Sequence, residues 1–133
     1  TITAGWDRNS ATCDDNSPTT AIDLAAGENI ICTFENTKQG TITIKKITNG
    51  GDDTFAFTTD FGITSVTTTT GLGSETSATK TPGVYSAVET IPAGWDLNSA
   101  TGTDNSPITA IGLGTNEEMT CTFTITKQCT ITI

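Results

Sequence analysis

The chain has 133 residues, with six Lys and Arg against fifteen Asp and Glu, no His, and a formal charge of −9. So acidic a balance excludes nucleic acid and anionic lipid as partners, since both bind through a basic face. Without His there is no Ser-His-Asp or Cys-His catalysis and no imidazole metal site. No cofactor, no metal and no enzymatic activity are therefore expected.

Thr supplies about a quarter of the residues, with Ile, Val and Phe behind it, which suits half-buried pleated strands. No apolar run approaches the length of a membrane span. Four Cys in a small acidic β chain favour an oxidising, extracellular setting.

An internal repeat organises the chain. Residues 1–44 align without a gap with residues 90–133, and 29 of the 44 pairs are identical. Ala4-Gly5-Trp6-Asp7 returns as Ala93-Gly94-Trp95-Asp96, and Cys32-Thr33-Phe34 returns as Cys121-Thr122-Phe123. The period of about 89 residues divides the chain into three parts: the C-terminal half of a repeat (1–39), a complete repeat (40–128) and the first strand of a further one (129–133).

In chain order, the first part carries the closing strands of a unit and a candidate disulfide. Cys13 and Cys32 lie nineteen residues apart, flanking the Asp-Asn-Ser-Pro turn. A bridge there stabilises by about 3 kcal/mol through loop closure; the alternative is two inert buried thiols.

The complete repeat predicts strands near 41–48, 54–60, 63–69, 74–80, 84–91, 95–101, 108–113 and 118–127. Asn49-Gly50-Gly51-Asp52, Gly71-Leu72-Gly73 and Pro82-Gly83 mark the clearest breaks. So many short strands in 89 residues predict an all-β, immunoglobulin-like (prealbumin-like) sandwich. Period-two alternation turns Ile42 with Ile44, Phe55 with Phe57, Tyr85 with Ala87, and Met119 with Cys121 and Phe123 to the inside. The same alternation places Lys46 and Glu89 inside. Two readings stand: a buried pair, or a bulge or strand end that returns both to water.

The last strand leads to Cys121 and Cys129. If the chain stays extended between them, they sit about 25 Å apart, beyond disulfide reach. They are candidates for thiol contacts between domains or chains.

Gly40-Thr41-Ile42-Thr43-Ile44-Lys45-Lys46 resembles the first strand of Cna B-type, prealbumin-like (SpaA-like, pilin-type) bacterial surface domains. Gly83-Val84-Tyr85, then Glu89-Thr90-Ile91-Pro92-Ala93-Gly94-Trp95, is similar to their Glu-Thr…Gly-aromatic signature, and Met119–Phe123 resembles their closing strand. The resemblance implies a secreted or wall-attached bacterial protein of tandem domains. It also implies an isopeptide bond from a first-strand Lys to a last-strand Asn, with a Glu shuttling protons. Lys46 and Glu89 match by position, whereas the Asn position holds Ile125 in the complete repeat and Asn36 in the half copy. No bond is therefore expected within 40–128. A Lys for Asn36 has to come from an upstream copy or another chain.

Weaker candidates are Ca²⁺ at Asp14, Asp15 and Asp104 or at Asp52 and Asp53, O-glycosylation of Thr67–Thr70, and sugar stacking on Trp6 or Trp95. Turn formation, an exposed strand and core packing explain them equally or better. The leading expectation is a structural component of an extracellular filament, pilus-like fibre or cell-surface stalk whose partners are copies of itself. The alternative is an adhesin or carbohydrate-binding module with a host or surface ligand. Thr130, Ile131, Thr132 and Ile133 repeat the opening strand and are the candidate assembly strand.

Overall fold

The computed structural model describes residues 1–133, and every regular element in it is a β-strand. β1 (Trp6–Cys13) and β2 (Cys32–Lys38) form an antiparallel two-stranded sheet of their own. The remaining strands build a sandwich: β3 (Thr41–Asn49), β4 (Thr54–Thr59), β5 (Ser65–Thr67), β6 (Leu72–Thr76), β7 (Gly83–Tyr85), β8 (Ala87–Glu89), β9 (Trp95–Gly102), β10 (Ile111–Leu113) and β11 (Glu118–Lys127). One layer is the four-stranded sheet β6-β3-β11-β9, and opposite it lie β5-β4-β8 and the pair β10-β7.

The layers meet through the alternating side chains. Ile42, Ile44, Met119, Cys121, Phe123 and Ile125 come from the four-stranded sheet, and Phe55, Phe57, Val66 and Ala87 from the other side. Each large apolar group buried here stabilises by about 1.5–3 kcal/mol. Edge-to-face contacts join Phe57 to Phe123 at 5.0 Å and Phe55 to Trp95 at 5.1 Å. The first and last strands, β3 and β11, run parallel from Thr41 beside Glu118 to Asn49 beside Thr126.

Four strand expectations change, the simplest being the 63–69 strand, which shortens to Ser65–Thr67. The 84–91 strand is two short ones, because β7 pairs with β10 while β8 pairs with β4. Between them the Ser86 N–H donates to Asp60 Oδ1 and the Ala87 N–H to the Ile108 carbonyl. The 108–113 strand begins only at Ile111, since the Ala110 N–H closes a turn on the Pro107 carbonyl. The 74–80 strand is shifted to Leu72–Thr76, where β3 provides its partners. Residues 129–133 lie in no strand.

The small sheet reproduces the β9–β11 pairing in detail. Trp6 faces Lys38 as Trp95 faces Lys127, and Cys13 faces Cys32 as Gly102 faces Cys121. Even the register shift is shared: Asn9 is skipped between Arg8 and Ser10, and Asn98 between Leu97 and Ser99. The surroundings differ. Phe34 is 55% exposed where Phe123 is 0%, and Trp6 is 40% exposed where Trp95 is 6%.

Candidate functional site

β3 carries Lys46 into the core with no bulge: it lies beside Phe123 on one side and Gly73 on the other. β8 brings Glu89 opposite Phe57 from the facing layer. The Lys46 Nζ lies 2.6 Å from Glu89 Oε1, and both side chains are essentially sealed from solvent. The reading that a bulge or strand end returns them to water is thus corrected, because unbroken pairing on both sides of β3 holds the alternation.

No other polar atom serves this pair: neither Nζ nor the two carboxylate oxygens has a further hydrogen-bond partner. The Phe55 ring, 4.6 Å from Nζ, gives a cation–π contact. Burial pushes the Lys46 ammonium below its ordinary value, and Glu89 acts in the opposite direction through its hydrogen bond and charge. Each ion is tolerable in the core only because the other is there.

The remaining partner for an isopeptide is absent from this core. Ile125 on β11 is fully buried and offers no carboxamide. Asn36 sits on β2, exposed, facing Arg8. The intact mass of the reduced chain should equal the calculated one; a deficit of one ammonia in peptides containing Lys46 would contradict this arrangement.

Cys13 and Cys32 form a disulfide, tying the far end of the small sheet. Cys121 is buried and free, and Cys129 is exposed and free. Burial first, and the Asp104 charge second, push the Cys121 thiol up to about 11. Its neutral form contributes stability that is complete below the ordinary thiol range and is lost as the pH rises through about 11. At pH near 8, an alkylating reagent should therefore modify Cys129 alone in the native chain and Cys121 only after unfolding. Rapid native labelling of Cys121 would show that the core opens.

The acidic candidates serve their own turns. Asp15 Oδ1 accepts from the Ser17 hydroxyl and N–H, which lowers its pKa, and Asp104 does the same with Ser106. Asp52 accepts from the Gly71 and Thr70 N–H groups, and its pKa is lowered chiefly by the Gly71 bond. No three His, Cys, Asp or Glu side chains converge as a metal-binding group would require. Within the 67–70 run, Thr68 is buried and bonded to the Asp53 backbone. Trp95 packs in the core, while Trp6 lies on the open face of the small sheet.

A sandwich with parallel first and last strands and a buried lysine–carboxylate pair is consistent with a domain of prealbumin-like, pilin-type fold. The chain belongs to this family: the model of the prealbumin-like fold domain matches residues 42–127, most of the chain. No curated protein and no solved structure matches the chain. Family membership is consistent with a structural role at a bacterial surface. No helix is long and apolar enough to cross a membrane.

The repeat already implies an open face, because residues 1–39 carry closing strands without the opening ones and cannot bury Phe34 alone. Phe34, Trp6, Ile22 and Leu24 are exposed, although Phe123, Trp95, Ile111 and Leu113 at the matching positions are buried. The repeat was the available signal, since each exposed residue has a buried counterpart 89 positions later.

Proposed function

We propose that this protein is a structural module of an extracellular bacterial stalk or pilus-like fibre, built from β-sandwich units repeating at about 89 residues. The observation that carries this reading is the doubled hairpin: the same strands, register and bulge occur once inside a sandwich and once uncovered. Residues 1–39 are then the closing half of one unit and 129–133 the opening of another. Units of this kind are arranged in series, as the repeat within the sequence suggests. The acidic surface and the threonine-rich strands suit a module exposed to solvent.

Surface labelling tests the reading. An antiserum against residues 1–133, applied to intact producing cells, should decorate extended surface structures in electron micrographs. Label seen only after the cells are broken would contradict it.

A further inference from the structure

The chain enters the sandwich by β3 and leaves it by β11, and these strands are hydrogen-bonded neighbours in the middle of the four-stranded sheet. They run parallel through nine residue pairs, from Thr41 beside Glu118 to Asn49 beside Thr126. Entry and exit therefore lie at opposite ends of one ladder, about 30 Å apart. The entry is pinned where the Gly40 N–H donates to the Lys80 carbonyl and the Thr41 N–H to the Glu117 carbonyl. The exit is pinned where the Gln128 N–H donates to the Gly94 carbonyl and the Gln128 side chain to Asp96 Oδ1. Tension between residues 39 and 129 thus slides β3 along β11 and loads the bonds of the ladder together. An antiparallel pair, with entry and exit at one end, would open one bond at a time.

Lys46 sits near the middle of this ladder, beside Phe123, and Glu89 holds its ammonium from the other layer. A slip that keeps side chains on their own faces must cover two residues, about 6.6 Å. It would carry Nζ away from Glu89, and no other polar atom serves it. A hydrogen bond is lost within about 1 Å of such a slip, whereas ionic attraction in an apolar core falls only as the inverse of distance. We propose that the β3–β11 ladder is a shear clamp with the Lys46–Glu89 pair as its latch, so that the sandwich bears tension and lengthens reversibly when the clamp yields. Yielding releases residues 40–128, about 280 Å of new chain length. Ile125 offers no carboxamide to Lys46, so β3 and β11 carry no covalent tie and the clamp reforms on relaxation.

The source of the tension rests on the fibre reading, whereas the clamp is measured on purified chain. Optical tweezers hold residues 1–133 through a handle at the N-terminus and another on Cys129, the exposed free thiol just past β11. The small sheet, opened from its Trp6–Lys38 end and tied at Cys13–Cys32, adds only a short separate step. The sandwich should then yield in one step of about 280 Å. Moving the second handle to the exposed turn before β11, by Thr115→Cys with Cys129→Ser, puts both pulling points at one end of the ladder and peels it. Rupture in that direction should need at most about a third of the force. Lys46→Met with Glu89→Leu, an apolar pair that keeps the core stable, should yield at least about tenfold faster at a fixed load on the Cys129 handle. Equal rupture forces in the two directions overturn the clamp, and this comparison uses the native pair. A double variant that holds the load as long as the native chain overturns the latch. None of these results touches surface labelling, and label seen only in broken cells would remove the source of tension while leaving the clamp as measured.

Discussion

Replacing Glu89 with Ala should destabilise the sandwich by about 3–5 kcal/mol, the largest single-residue effect expected in this chain. The substitution leaves Lys46 fully buried with only the Phe55 ring beside its ammonium. Urea denaturation followed by tryptophan fluorescence measures it, since Trp95 packs in the same core. Replacing both partners, Lys46→Met with Glu89→Leu, should recover most of the loss, because an apolar pair needs no mutual neutralisation. The pH dependence has a definite sign. With its folded pKa lowered, Lys46 binds fewer protons in the folded than in the unfolded chain just below the ordinary lysine value. Its contribution to stability therefore rises with pH across that window. The Glu89→Ala variant lacks the group that opposes the lowering, so its deficit should narrow as the pH increases. A loss below about 1 kcal/mol would mean that water reaches the pair.

Removing the disulfide should act locally and strongly. The Cys13–Cys32 bridge closes a separation of nineteen residues, worth about 3 kcal/mol by loop closure. An isolated two-stranded sheet is marginal without such help. In the double variant Cys13→Ser with Cys32→Ser, amides of β1 and β2 should exchange about a hundredfold faster, the same free energy expressed as a rate ratio. Protection in β3 and β11 should not change, because their pairing and core contacts lie within the sandwich. Unchanged exchange in β1 and β2 would show that packing, not the bridge, holds the small sheet.

The alternation pointed Lys46 inward, and the competing reading of a bulge or strand end fell because β3 is a regular strand of nine residues along which period two holds. The same reason made the Met119, Cys121 and Phe123 face of β11 legible. The break at Ser86 was not. Tyr85, Ala87 and Glu89 keep their alternation across it, while the backbone passes from β10 to β4 as its partner. Side-chain periodicity carries no record of such a change of partner. Ile108 misled in the opposite way: it is apolar and packs against the core, yet it sits in the Pro107–Ala110 turn. The exposure of Phe34 is legible only through the repeat, which shows that residues 1–39 lack the opening strands of their unit; that of Trp6 has no local signal. Both share their residue type with Phe123 and Trp95, and only the presence or absence of a facing layer separates exposed from buried.

If residues 1–39 are the closing half of such a sandwich, a rearranged chain should complete it. Residues 40–89 placed ahead of Thr1 restore the order of a full repeat, because residue 90 corresponds to residue 1. In that unit Trp6 and Phe34 occupy the positions that Trp95 and Phe123 fill in the core. Quenching of tryptophan fluorescence by acrylamide is the measurement. Trp6, 40% exposed in residues 1–133, should become as protected as Trp95. Quenching of Trp6 that stays as efficient as in residues 1–133 would contradict the claim.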